Sequence, residues 1–140
     1  MQAILGSCVG IALIDRKRGV CTLSHSLLPY REAPDPDRRG RWVNHAIEAA
    51  LKLLDVQPAR YKRLEAVLAG GGSMIDQPLP HRIEVGQANV ESAIKILGDF
   101  RIPIISEDVG DCVGRKITIC AQTLDYHIHR IPRLATSGKT

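Results

Sequence analysis

Aromatic side chains are scarce: one Phe, one Trp and three Tyr in 140 residues. A platform that stacks nucleic-acid bases needs several such rings, so that class of function is not expected. Long apolar runs are missing as well. No stretch approaches the ~18 residues that a membrane span requires, so membrane insertion is not expected. The apolar start, residues 1–13, has no basic segment ahead of it and is interrupted by Gly6, Ser7, Cys8 and Gly10, which argues against a signal peptide. The four cysteines, Cys8, Cys21, Cys112 and Cys120, show no C-x-x-C spacing. Without a secretion signal they are expected to be free thiols in a reducing cytoplasm. Charge of one sign is not dominant either. Nineteen Lys and Arg against fifteen Asp and Glu leave a net charge of +4, a mild excess that suits an acidic partner and is no signature of nucleic-acid binding.

What remains is an ordinary globular composition, 44% hydrophobic and 24% charged. A chain of this size buries roughly 68–70% of its unfolded surface, enough for a core without staples. One domain is expected over residues 1–134, with the small and polar residues 135–140 fraying. Residues 3–14 and 19–28 are apolar runs joined by Asp15-Arg16-Lys17-Arg18-Gly19, which predicts a β-hairpin. Residues 29–41 carry three prolines and several charges and read as a surface loop. Val43, Ile47, Ala50, Leu51 and Leu54 fall on one helical stripe within residues 42–54. Strands are expected at 64–69, 81–85, 103–105, 116–120 and 126–131, with a short helix opening at Asn89 as its N-cap and presenting Val90, Ile94 and Leu97. Gly70-Gly71-Gly72 lacks the Lys-Ser/Thr of a phosphate loop and reads as a tight turn. The order predicts an α/β fold: a compact single-domain layered sandwich, a mixed β-sheet with packed helices.

The hairpin singles out a possible chemistry. With a four-residue loop from Asp15 to Arg18, Ile14 faces Gly19 and Cys8 faces His25. Facing residues project to the same side, with Cβ atoms about 4.5–5.5 Å apart. A thiol beside an imidazole is a nucleophile with its base. Gly6, Ser7 and Gly10 would let an amide approach, and backbone N–H groups near Cys8 would hold an oxyanion. The plainer reading of a cysteine in an apolar strand is a small core residue, and that reading is the expectation for Cys21, Cys112 and Cys120. His127 and His129 share a strand face but lack a third ligand, so no metal is expected. Arg38, Arg39 and Arg41 form a basic patch, either solvated or a partner contact.

The same residues resemble a known family. Leu5-Gly6-Ser7-Cys8-Val9-Gly10 and Ser24-His25-Ser26-Leu27-Leu28-Pro29 are similar to the LGSCV and H-x-x-LP motifs of the chemoreceptor glutamine deamidases, the CheD family. The likeness continues through Gly70-Gly71-Gly72-Ser73-Met74, Val85-Gly86-Gln87-Ala88-Asn89-Val90, and Glu107-Asp108-Val109-Gly110 with Gly114-Arg115-Lys116. The resemblance implies a cytoplasmic α/β enzyme of chemotaxis signal transduction. Such an enzyme hydrolyses glutamine side-chain amides of methyl-accepting chemotaxis receptors to glutamate and ammonia. Cys8 and His25 would be its catalytic pair, Ser7 and Gly6 would border the oxyanion, and no cofactor would be needed. A CheC-type phosphatase is the regulator that the family implies.

Two positions depart from the family pattern. Gln2 stands six residues before Cys8, where the family has a catalytic threonine, and Asp111 replaces a glycine. Six residues along one strand return to the same face, so the Gln2 amide oxygen is the expected substitute that orients His25. The alternative function is a catalytically weak or inactive module of the same fold that binds a receptor or the phosphatase.

Overall fold

The computed structural model describes residues 1–74 and 84–132. Among the described residues, seven strands, two α-helices and one 3-10 helix form three layers. The elements are β1 (Gln2–Leu5), β2 (Val9–Asp15), β3 (Val20–Ser26), α1 (Val43–Leu54), a 3-10 helix (Pro58–Arg63), β4 (Glu65–Gly70), α2 (Val85–Asp99), β5 (Ile104–Val109), β6 (Gly114–Ile119) and β7 (Tyr126–Ile131). The first sheet has the order β3-β2-β4-β5, with β4 and β5 parallel and the other pairs antiparallel. The second is the antiparallel sheet β1-β6-β7. This is a layered α/β sandwich, with two sheets where the sequence reading named one.

Why the sheets stack follows from β2 and β4, which are apolar on both faces and almost wholly buried. Val9, Ile11, Leu13, Ala66 and Leu68 pack against α1 and α2 through Val43, Ile47, Ala50, Leu54, Ala93 and Leu97. The alternate residues, Ala12, Ile14, Val67 and Ala69, pack against Ala3, Leu5, Ile117 and Ile119 of the second sheet. A strand covered on both sides reads as a continuous hydrophobic run. The helical stripe predicted for residues 42–54 is the buried face of α1.

Three expectations are corrected. The first apolar run is two strands, β1 and β2, in different sheets, because the chain turns at Gly6-Ser7-Cys8. The hairpin pairs Asp15 with Val20, so Arg16 to Gly19 form the loop and Gly10, rather than Cys8, faces His25. The reason lies in Asp15, whose side chain is fully buried. Its carboxylate accepts hydrogen bonds from the Arg63 guanidinium (2.9 Å) and the Arg18 backbone N–H (3.3 Å), which holds it as the last strand residue. Gly19 then supplies the left-handed turn position, with φ of 70°. Finally, Asn89 is no N-cap: α2 starts four residues earlier, at Val85 after Glu84, and Asn89 lies inside it. Of the strand expected at 81–85, residues 81–83 lie outside the described residues, as does the tail at 135–140, and Val85 is helical.

The segment 29–41 is irregular, as expected, but it is anchored. Asn44 donates to the Arg31 carbonyl (2.7 Å) and accepts from its N–H (3.1 Å). Trp42 Nε1 donates to Asp35 (3.1 Å), and Ser92 Oγ to the Pro29 carbonyl (2.6 Å).

Candidate active site

Cys8 sits in the turn between the two sheets, one residue before β2 begins. The carbonyls of this turn are all held from outside it. Gly72 N–H donates to Gly6 O (2.9 Å), Asn89 Nδ2 to Ser7 O (3.0 Å) and Gly71 N–H to Cys8 O (2.7 Å). In a trans peptide the N–H points opposite to the carbonyl of the same unit. The N–H groups of Ser7 and Cys8 are thereby turned away from Gly72 and Asn89. The Cys8 N–H lies close enough to its own thiol to favour the thiolate.

The glycine turn that grips Cys8 leaves no room for side chains. Gly71 has φ of 63°, and a Cβ there would lie 2.2 Å from Val90 Cγ2. At Gly70, with φ of 101°, a Cβ would lie 2.3 Å from Cys8 O. Where a tight turn was expected over residues 70–72, Gly70 instead ends β4, and Gly71 and Gly72 run on from it as the clamp on the candidate nucleophile.

His25 is on β3 with an exposed side chain. The corrected register sets His25 opposite Gly10, and the β2–β3 ladder ends at Val9 with Ser26, so Cys8 lies in the turn one residue beyond it. Cys8, Cys21 and Leu23 all pack toward the second sheet, and His25 follows Cys21 and Leu23 by alternation. Burial pushes the Cys8 thiol above its ordinary pKa, and its own backbone N–H opposes that only in part. The resting group is therefore a thiol, which needs a base to become a nucleophile. Thr22, Ser24 and Ser26 occupy the other face of β3, and Ser26 Oγ is committed to Gly40 O (2.9 Å).

Gln2 is not brought to Cys8 by strand alternation, because the two residues belong to different strands and sheets. On β1, Ala3 and Leu5 are buried and Gln2 and Ile4 are exposed, so Gln2 projects from the outer face. β1 does pack across β2 and β3.

Arg38 and Arg39 are exposed and Arg41 is half-buried. They adjoin the chain that follows His25: the Arg41 carbonyl accepts from the N–H groups of Leu27 and Leu28, both at 3.0 Å. A cleft of about 550 Å³ between α2 and the Gly110 turn includes Gly71 but neither Cys8 nor His25. Its far wall is built on Arg115, which is fully buried. That guanidinium donates to the carbonyls of Gly110 and Val113 and to Asp108. Hydrogen bonds from Arg130 and then Arg115 hold the Asp108 carboxyl below its usual range. Asp111, the departure from the family's glycine, has φ of 54°, a conformation that Asp tolerates better than most residues. All four cysteines are free, and no group of three or more metal-ligating side chains occurs among the described residues.

Sequence reasoning missed Asn89 as a support of the Cys8 turn and Arg115 as a support of the Gly110 turn. The legible signal for Asn89 was a polar residue on the stripe Gly86, Asn89, Val90, Ala93 and Leu97, all buried in α2. For Arg115 there was none beyond its place in a motif.

Comparison with known proteins finds the family described as CheD chemotactic sensory transduction matching residues 27–130. That match begins after Cys8 and His25. Whole-chain similarity extends further. "Probable chemoreceptor glutamine deamidase CheD" of Bdellovibrio bacteriovorus is 36% identical over 136 residues, 96% of this chain and 86% of that protein. "Probable chemoreceptor glutamine deamidase CheD 2" of a Ruegeria species is 34% identical over 153 residues, covering 96% and 84%. A counterpart from Methanosarcina barkeri, also named a probable chemoreceptor glutamine deamidase, is 36% identical over 130 residues, covering 92% and 84%.

Proposed function

The chain belongs to the CheD family, and from that premise we propose that it hydrolyses glutamine side-chain amides of methyl-accepting chemotaxis receptors, with Cys8 as nucleophile and His25 as proton carrier. The observation that carries this reading is the Cys8 turn, whose three carbonyls are pinned so that the N–H of Cys8 lies on the thiol side. A small half-buried thiol beside an exposed imidazole suits a side chain that protrudes from a protein surface better than a ligand enclosed in a cavity.

The chemistry runs in two halves. The Cys8 thiol gives its proton to His25, and its sulfur adds to the glutamine amide carbon. The negative oxygen forms near the N–H of Cys8, with Ser7 and Gly6 bordering it, where preorganised donors favour the transition state. His25 returns the proton to nitrogen as the C–N bond breaks, so ammonia leaves and a thioester remains. His25 then takes a proton from water, the hydroxide adds to the thioester, and the C–S bond breaks. The products are glutamate and the restored thiol, and no cofactor enters.

Gln2 projects from the outer face of β1, away from the sheet that carries His25, and is assigned no part in orienting it. That position predicts a small effect: Gln2→Ala lowers kcat by no more than about tenfold, as read by ammonia release. A loss as large as that of Cys8→Ala would give Gln2 a part in the chemistry itself.

Arg38, Arg39 and Arg41 are the proposed receptor contact, since their loop is hydrogen-bonded to the chain after His25. Steering by such charges weakens as the Debye length falls from ~10 Å at 0.1 M to ~3 Å at 1 M salt. Receptor-fragment affinity should therefore drop over that range, and the slope should flatten in the Arg38→Ala, Arg39→Ala double variant. An affinity independent of salt removes this contact. A CheC-type phosphatase is the proposed regulator, and the cytoplasm, where receptor signalling helices lie, the proposed location.

The competing reading is a binding module without activity, favoured by Gln2 at the family's threonine position and by the raised thiol pKa. Ammonia release from a receptor fragment separates the two. Release that depends on the protein supports the deamidase, and tight binding without release supports the module.

A further inference from the structure

We infer that Asn89 is a positioning residue for this reaction, one that holds the Cys8 turn against the chain following His25. The inference takes its reaction from the function proposed above, but its geometry stands on separate observations. Asn89 is fully buried inside α2. Both protons of its amide nitrogen are used: one goes to Ser7 O and the other to Leu27 O, each at 3.0 Å. Ser7 immediately precedes Cys8, and Leu27 lies two residues after His25. A single side chain thus bridges the two segments that carry the proposed catalytic pair, which also meet at the end of the β2–β3 ladder.

The amide oxygen shows what this arrangement costs. Asn89 Oδ1 is buried and has no hydrogen-bond partner among the described residues. An unpaired buried acceptor is unfavourable, and a side chain chosen for packing alone would not carry one. The nitrogen's two bonds account for an asparagine here. Aspartate would set a carboxylate against two carbonyl oxygens, and an aliphatic residue would leave both carbonyls unheld.

The consequence for chemistry runs through the peptide joining Ser7 and Cys8. With Ser7 O held toward α2, the trans geometry fixes the Cys8 N–H on the opposite side. That N–H is the group already favouring the Cys8 thiolate, and the forming oxyanion would meet it too. Loss of the Ser7 bond frees this peptide to rotate, and loss of the Leu27 bond frees the end of β3 that carries His25. A displacement of about 1 Å at such a site costs about 10²-fold in rate.

Asn89→Ala and Asn89→Ser are compared with wild type by two measurements. The first is steady-state deamidation of a receptor fragment. The second is the pH dependence of iodoacetamide alkylation, read on the peptide that contains Cys8. The expected result for Asn89→Ala is a kcat lowered about 10²-fold with KM within about twofold of wild type, and an alkylation profile displaced to higher pH. Asn89→Ser, which keeps one donor for two carbonyls, should fall between, and it carries the test if Asn89→Ala does not fold. An unchanged kcat per folded molecule, or an unchanged alkylation profile, overturns the inference. If the wild-type protein releases no ammonia, the alkylation profile decides alone. A displaced profile then keeps Asn89 as the positioning residue and rejects the receptor-deamidase reading, whereas an unmoved one rejects the positioning role.

Discussion

Cys8→Ala should reduce amide hydrolysis by at least about 10³-fold, the loss expected when a covalent nucleophile is removed from a site whose parts act as a unit. Folding should survive. Cys8 is half-buried, and the turn around it is fixed by backbone carbonyls and by Gly71, Gly72 and Asn89 rather than by the thiol. The change in unfolding free energy should stay within about 1 kcal/mol, measured by urea denaturation. Thiol reactivity must be read by peptide, because another cysteine competes. Cys120 is exposed, and its thiol pKa is lowered by hydrogen bonding from Thr123 and the adjacent backbone, whereas burial raises that of Cys8. Bulk alkylation would report the exposed Cys112 and Cys120 along with Cys8. If Cys8→Ala kept more than about a tenth of the wild-type rate, the nucleophile assignment would fail.

His25→Ala should cost about 10²–10⁴-fold at pH 7, the range for removal of a general acid–base group. The pH dependence gives a sharper signature. The folded Cys8 thiol has a raised pKa, so it is protonated at neutral pH and its thiolate fraction keeps growing as the pH rises above the ordinary thiol range. In wild type, His25 takes that proton during attack, so useful rates appear at neutral pH. In His25→Ala, solvent ionisation must supply the thiolate, so the deficit at the acylation step should shrink steadily from pH 7 to pH 10. A deficit that stays constant with pH would mean that His25 contributes by binding or packing. A thiol raised by burial fits proton transfer during attack better than a permanent thiolate.

Much of the fold was legible because its signals are local. The stripe from Val43 to Leu54 is the buried face of α1, and β7 spans the residues expected. The two-sheet architecture was not. A largely apolar run looks alike whether it is one strand or two, and the division at Gly6–Cys8 is a tertiary event. The hairpin register failed by two residues because Asp15, a residue type that usually marks a loop, is held in the strand by Arg63, 48 positions away. That error put Cys8 opposite His25, where Gly10 stands, and took a turn residue for a strand residue. Cys8 still packs on the side of the sheet that Cys21 and Leu23 face, and His25 follows those two by alternation. The inference for Gln2 had no such protection, since it assumed a continuous strand where the chain changes sheets. Asn89 was placed as a cap by the usual preference of asparagine for helix starts, while its actual partners, Ser7 and Leu27, are brought to it only by packing.

The most direct test of a cysteine-based receptor deamidase is to incubate a cytoplasmic receptor fragment with the protein in ¹⁸O-enriched water and map the fragment by mass spectrometry. Hydrolysis replaces the amide nitrogen with solvent oxygen, so the account predicts shifts of about +3 Da at particular glutamines, absent with Cys8→Ala. Glutamines that stay unshifted with wild-type protein, while the fragment is bound, would contradict it.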